Sequence, residues 1–199
     1  HQVLRISGFK NSQQGRKHYE PFRREAQRIP GVTHVTGSTL SFFGSEGLKA
    51  PLALGDTADV TATALPVDST FRETLGIDLI RGRSLSAPQT TDGTGVLINE
   101  ALEDALGWTA PVGRTLRIRE SSVFGTLANS ATILGVVENF HTRSMRHRVR
   151  PLILAPNTVL GGGVGSIYVR IEEGRLSANL DALRTTPISP SSTASSMKW

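Results

Sequence analysis

The sequence predicts an α+β fold: two lobes of mixed sheet carrying short helices. Three observations predict it. Short alternating or β-branched runs recur along the chain, separated by short amphipathic helices, without the regular strand–helix rhythm of a parallel barrel or doubly wound sheet. Three phrases at residues 67–83, 96–107 and 133–141 each read as a structural joint, a strand or short helix stopped by glycine. A Ser/Thr/Pro/Gly connector at 84–95 offers the best internal boundary. The middle of the chain, 88–140, is therefore expected to form one lobe, and the flanking segments, 1–87 and 141–199, to pair as the other.

The elements follow in order. Residues 3–6 alternate as a half-buried strand, and 8–17 are polar and turn-like. A helix comes next, with Pro21 expected in its first turn, where a missing N–H costs nothing. Tyr19, Phe22, Ala26 and Ile29 share one face, and Pro30-Gly31 stops it. Residues 32–43 read as a strand, 44–58 as a loop and 59–65 as a second strand. Asp68 or Thr70 can cap the next helix, Thr70 and Glu73 fit a capping box, and Gly76 is its expected left-handed stop. Residues 77–80 form a short strand turned by Arg81-Gly82-Arg83.

In the middle segment, 96–98 is a strand and Asn99 caps a helix over 100–106. Ala101, Leu102, Ala105 and Leu106 supply its apolar side, and Gly107 ends it. Pro111-Val-Gly113 turns into a strand at 115–118. Residues 120–130 read as a hairpin loop and 131–137 as a strongly apolar strand. After a basic connector at 139–150, strands are expected at 151–154 and 166–171, with Ile167, Val169 and Ile171 on one face. A last helix over 176–184 aligns Leu176, Leu180 and Leu183. Beyond Thr185 the Ser/Thr/Pro composition predicts fraying.

The 199 residues, 38% of them apolar, suffice for a real core. The absence of cysteine excludes disulfides and thiolate chemistry. No apolar run approaches the ~20 residues of a membrane helix. No leader is visible, and a chain starting at His1 reads as a processed or excised fragment. The net charge of +5 is carried mostly by arginines interspersed with acids, so only the stretch from Arg143 to Arg150 is densely basic.

The candidate chemistries are weak. His141, His147 and Glu138 lack metal-ligand spacing, so no metal is expected. The glycines at 161–163 and 165 lack the Lys-Ser/Thr of a phosphate loop and open no helix, so they read as a flexible tip. No Gly-x-Ser-x-Gly elbow supports a hydrolase, and Ser166 enters a strand. Neither catalysis nor a cofactor is expected. The arginines lack the interleaved aromatics and recognition helix of a nucleic-acid binder, so no nucleic-acid partner is expected. Partner contact is assigned to Arg143, Arg146, Arg148, Gly162 and Gly163, the basic stretch and the glycine tip.

The succession Phe71-x-x-Thr-Leu-Gly-Ile-x-Leu-x-x-Gly-Arg83, Asn99-Glu-Ala, Gly107, Pro111-x-Gly-Arg114 and Ile133-x-Gly-Val-Val-x-x-Phe-His141 resembles the MacB-like periplasmic core domain of FtsX-like ABC transporter permeases. The resemblance continues through Ser144, Arg150-Pro151-Leu and Val169-Arg170, from about Tyr19 to Leu183. It implies a non-catalytic domain outside the bacterial cytoplasmic membrane, between the first two membrane helices of a permease that pairs with a cytoplasmic ATPase. It also implies two lobes, porter-like from both chain ends and Sabre-like from the middle. In such relatives, ATP-driven motion serves export through an adaptor, lipoprotein release or control of cell-wall hydrolases. The isolated domain is expected to be monomeric. The tail, 185–199, departs from the aromatic, proline-containing return segment of relatives. The alternative function is a stand-alone periplasmic module binding a small anionic solute between the lobes; a full-length gene without membrane helices would favour it.

Overall fold

The computed structural model describes residues 2–7, 11–40, 47–53, 60–85, 95–119, 130–141, 148–160, 163–186 and 193–197. Strand β1 (Gln2–Ser7) leads to helix α1 (Ser12–Ala26) and strand β2 (Val32–Ser38). Strands β3 (Leu48–Leu52) and β4 (Val60–Val67), helix α2 (Phe71–Leu75) and strand β5 (Leu79–Gly82) follow. Then come β6 (Gly95–Asn99), α3 (Glu100–Leu106), β7 (Thr115–Arg117) and β8 (Ser130–Val137). The chain continues with β9 (Leu152–Pro156), a 3-10 helix (Asn157–Leu160), β10 (Ser166–Ile171), α4 (Leu176–Thr185) and β11 (Thr193–Met197).

The strands join in the order β11-β1-β10-β2-β4-β9-β6-β8-β5, with β3 on β4 and β7 on β8. The first four are mutually antiparallel. Counted among themselves, β1, β2, β10 and β11 are strands 1 to 4 of a βαββαβ unit in the order 4-1-3-2, the ferredoxin-like arrangement. Everything from 48 to 160 is inserted between its second and third strands. Helices α1 and α4 cover one face, packing Tyr19, Phe22, Ala26 and Leu183 on Leu4, Val35, Ile167, Val169 and Ile171. The period-two alternation of β10 sends Tyr168 to the opposite face, where its ring meets Phe71 of α2 edge-on at 6.4 Å.

The insert closes on itself. Strands β3, β4, β9, β6, β8 and β7 pair in sequence, and a bridge from Leu52 to Ile118 returns β7 to β3. The Ala53 N–H donates to the Arg117 carbonyl (2.9 Å) and the Arg119 N–H to the Pro51 carbonyl (2.8 Å), completing that closure. The interior is narrow and filled by side chains. Ala50, Ala62, Ala64, Ala131 and Ala155 leave room for Leu52, Ile98, Leu116 and Ile153. Leu102 and Leu106 of α3 plug it. The expected middle lobe, 88–140, contributes β6, α3, β7 and β8 to this barrel, whereas β3, β4 and β9 come from the flanking segments.

Several local expectations differ from the structure. Pro21 lies well inside α1, which starts at Ser12 because the Asn11 side chain accepts the Gln14 N–H (2.8 Å) and anchors an earlier first turn. The loop expected over 44–58 contains β3, which carries Pro51. Proline has no N–H to donate, but the Pro51 carbonyl still accepts from Arg119. Thr70 and Glu73 make no capping box. The Thr70 hydroxyl shares its one proton between the Val35 carbonyl and Asp68, while Glu73 pairs with Arg72 at 2.6 Å. On α3, Ala105 is exposed and Glu103 is buried instead, its charge met by Arg81 at 3.2 Å. The tail beyond Thr185 returns as β11, paired with β1 from Val3↔Met197 to Ser7↔Thr193. Most of the loop expected at 120–130 lies outside the described residues.

Candidate functional site

The two lobes meet at a seam with one strand register pair, Ser38 of β2 opposite Val67 of β4. The flanking bonds are Thr39 N–H to the Pro66 carbonyl and Asp68 N–H to the Gly37 carbonyl, each 3.2 Å. The Ser38 hydroxyl adds a bond to the Pro66 carbonyl at 2.8 Å.

Asp68 fastens this seam. Its carboxylate accepts hydrogen bonds from the Tyr19 hydroxyl of α1 and the Thr36 hydroxyl of β2. It also accepts the Gly37 N–H (2.9 Å), the Thr70 N–H (3.1 Å) and the Thr70 hydroxyl (3.0 Å). Donors from α1 and β2, in the ferredoxin-like lobe, thus converge on a residue that leaves β4, in the barrel. Tyr19 is buried, and burial together with the adjacent Asp68 charge pushes its phenol well above the ordinary value, so it remains a donor at neutral pH.

The phrase 67–83 builds the rest of the seam. Asp68 follows β4 directly, and α2 then lies on β2 and β10 with Phe71 and Leu75 inward. Gly76 stops α2 with φ +73°, and Arg170 of β10 donates to the Glu73 carbonyl at the helix end (2.9 Å). Strand β5 then returns to the barrel along β8. Its close crossing explains two glycines. A Cβ at Gly82, φ +84°, would stand 2.3 Å from the Leu134 carbonyl oxygen, and one at Gly135 would stand 2.8 Å from that of Arg81.

A second joint ties the end of the barrel. Asn99 caps α3 by accepting the Leu102 N–H (3.1 Å), and the same oxygen accepts the Leu152 N–H (2.8 Å). Its amide donates to the Asn139 side chain (3.0 Å) and the Arg150 carbonyl (2.9 Å). Asn139 in turn accepts the Ala101 N–H, and its own N–H donates to Glu100. One buried amide therefore locks β6, α3, β8 and β9.

Of the residues assigned to partner contact, Arg143, Arg146 and Gly162 lie outside the described residues. Arg148 is exposed. Gly163 is buried; its carbonyl accepts the Thr39 hydroxyl (2.7 Å), and a Cβ there would stand 2.7 Å from Ser12. Glu138 accepts the Asp78 N–H at 2.9 Å, His141 is half-buried and His147 lies outside the described residues. Among the described residues no His, Cys, Asp and Glu cluster could hold a metal, and no helix is long and apolar enough to cross a membrane. The Tyr19–Asp68 contact escaped sequence reasoning because 49 positions separate the partners. The only local signal was Asp68 just ahead of a helix start.

The profile of the MacB-like periplasmic core domain matches residues 2–184. No curated protein matches the sequence. Among solved structures, the periplasmic region of MacB from Actinobacillus actinomycetemcomitans is 14% identical with a TM-score of 0.63, covering 97% of this chain and 87% of that one. A domain described as that of a permease protein from Porphyromonas gingivalis is 22% identical with a TM-score of 0.60, covering 100% and 89%. The extracellular domain of the noncanonic ABC-type transporter YknZ from Gram-positive bacteria is 13% identical with a TM-score of 0.57, covering 98% and 100%. At these identities the three structures establish a shared fold.

Proposed function

Because this chain belongs to the family of MacB-like periplasmic core domains, we propose that it acts as a non-catalytic coupling element that relays ATP-driven motion from a permease's membrane helices to extracytoplasmic partners. The family is the periplasmic domain of ABC transporter permeases, which places it at the extracytoplasmic face of the membrane with an ATPase as the implied partner.

One observation carries the coupling reading. Antiparallel pairing of Val3 with Met197 sets the start of β1 beside the end of β11. A displacement applied to the chain on either side enters at one sheet edge. It crosses β10 and β2 and reaches the barrel through the seam at Ser38, Val67 and Asp68. Two packed lobes joined by one strand register pair and by the packing of α2 on β2 and β10 would move as stiff bodies about that joint. Two of the hydrophobic clusters support a lobe division into 2–38 with 163–197 and 48–160, in place of a cut at 88 and 140; the third crosses the seam, joining Val3 and Tyr168 to Phe71, Leu97 and Leu154. Export through an adaptor, lipoprotein release and hydrolase control are the outputs such motion could serve. Exposed Arg148, with Arg143, Arg146 and Gly162, is the proposed docking set; Gly163, buried against Ser12, is removed from it.

The test is a distance measurement. Spin labels at Arg24→Cys on α1 and Asp104→Cys on α3, both exposed, report across the seam in the full-length permease with its ATPase. The distance distribution is expected to shift by several ångström between ADP-bound and ATP-trapped states. Superimposable distributions would remove the coupling reading.

A further inference from the structure

The two faces of the seam are packed differently. On the α2 face, Phe71 of α2 and Tyr168 of β10 share one apolar cluster with Leu97, Leu152 and Leu154 of the barrel. The gap bordered by Phe71, Leu97 and Leu154 leaves no room for a water molecule. On the α1 face a cleft of about 300 Å³ separates the lobes. Arg16, Glu20 and Arg23 of α1 form one wall. Pro156 at the end of β9, with Asn157 and Thr158 of the 3-10 helix, forms the other.

Nothing in the cleft walls opposes their approach. The lining balances Arg16 and Arg23 against Glu20 and Asp68. Those charges are already met: Glu20 stands 3.8 Å from Arg23, Arg16 is engaged, and Asp68 holds donors from Tyr19, Thr36 and Gly37. The wall opposite α1 carries no charge, and its amide and hydroxyl can take the place of water beside the ionised groups. The Asp68 bonds and the Ser38–Val67 pair set the pivot at the floor of the cleft, so the rim travels furthest.

The energies on the two faces differ in form. Overlap of packed atoms rises steeply, whereas parting apolar surface costs only in proportion to the area uncovered. Bending toward α2 demands the first. Bending toward α1 demands the second on the α2 face and meets empty space on the other. We propose that the seam is a one-way hinge, in which α1 closes onto the end of β9 while motion toward α2 is blocked. Its use in transport rests on the coupling reading above; the direction of bending does not.

The test is closure of the cleft in the full-length permease with its ATPase, in a background without other cysteines. Arg16→Cys and Thr158→Cys place exposed thiols on opposite walls. A disulfide requires Cα atoms about 4.4–6.8 Å apart, so it traps the walls where they meet. Oxidation is expected to run at least about fivefold faster in one of the ADP-bound and ATP-trapped states than in the other. Thr158→Trp wedges the cleft from an exposed position and is expected to cut the nucleotide-driven shift between labels at 24 and 104 by half or more. Thr61→Trp, exposed on β4 and outside the lining, is expected to leave that shift intact. Equal oxidation rates in the two states, or an undiminished shift in Thr158→Trp, overturns the one-way hinge. The coupling reading stands or falls on the 24–104 shift in the permease without the wedge, so the two failures are told apart.

Discussion

Ser38 and Val67 face each other as a non-hydrogen-bonded antiparallel pair, and theirs is the strand register that joins the ferredoxin-like lobe to the barrel. Such pairs hold their Cα atoms about 4.5 Å apart with side chains close together. The chain has no native cysteine. Ser38→Cys with Val67→Cys is therefore expected to oxidise to an unstrained disulfide, within the ~4.4–6.8 Å window such bonds require. Closing that loop is expected to raise stability by about 3 kcal/mol, read as the difference between oxidised and reduced urea transitions. In the full-length permease the oxidised variant is expected to lose the nucleotide-driven shift between labels at 24 and 104. Retention of the full shift would mean the motion pivots elsewhere.

Asp68→Ala strips the common acceptor from Tyr19, Thr36, Gly37 and Thr70 and leaves part-buried donors unpaired. The expected cost is about 3 kcal/mol, with Asp68→Asn costing less because one amide oxygen still accepts. Chemical denaturation measures both. A loss under ~1 kcal/mol for the alanine variant would show that Asp68 does not fasten the seam.

The Tyr19 phenol is raised in the fold, first by burial and then by the Asp68 charge. Its folded-state value therefore exceeds its unfolded value of about 10. The stability it contributes is fully present below pH ~10 and is lost as pH rises through the folded value. Tyr19→Phe is expected to cost about 1 kcal/mol at neutral pH and to flatten the alkaline fall above pH ~10. Stability profiles from pH 8 to 12, taken as roughly the window in which a phenol titrates, compare the two proteins. Identical alkaline slopes would contradict the assignment.

Gly82 and Gly107 both take positive φ, +84° and +63°, but only Gly82 is hemmed in. Gly107→Ala meets nothing within 4 Å and is expected to cost about 1 kcal/mol of backbone strain. Gly82→Ala adds a clash with the Leu134 carbonyl and is expected to cost more than ~3 kcal/mol. Thermal unfolding of the two variants provides the ratio, and equal costs would count against a close β5–β8 crossing.

Asn99→Ala removes both the α3 cap and the acceptor of the Leu152 N–H. A loss of about 3 kcal/mol is expected. Asn99→Asp keeps both accepting contacts but turns a carboxylate toward the Asn139 oxygen and the Arg150 carbonyl, so it is expected to rescue only part of that loss. Full rescue by aspartate would show that the donor side of the amide is dispensable.

Helix α3 was legible to the residue, because Asn99 and Gly107 mark its ends by interactions within a few positions. Gly76 was legible for the same reason, and β10 because its alternation is uninterrupted. The inward side of α3 was not. Ala105 looked apolar enough to bury, yet Glu103 goes inward because Arg81, far off in sequence, waits there. Strand β3 was hidden by Pro51, whose lost N–H matters little where its carbonyl finds Arg119. The Asp68 latch was half visible: its place before a helix could be read, but the donors that converge on it could not.

The order of caps, glycines and apolar repeats settled the fold class and most element positions, because each depends on neighbours within a turn or two of the chain. Tertiary structure alone decided that a barrel is inserted into a ferredoxin-like sheet, that residues 193–197 return to pair with β1, and that Tyr19, Thr36 and Asp68 meet at one seam. Those contacts join residues tens to nearly two hundred positions apart. No local preference encodes them; they form when burial of apolar surface and satisfaction of backbone and carboxylate hydrogen bonds together select one arrangement of strands.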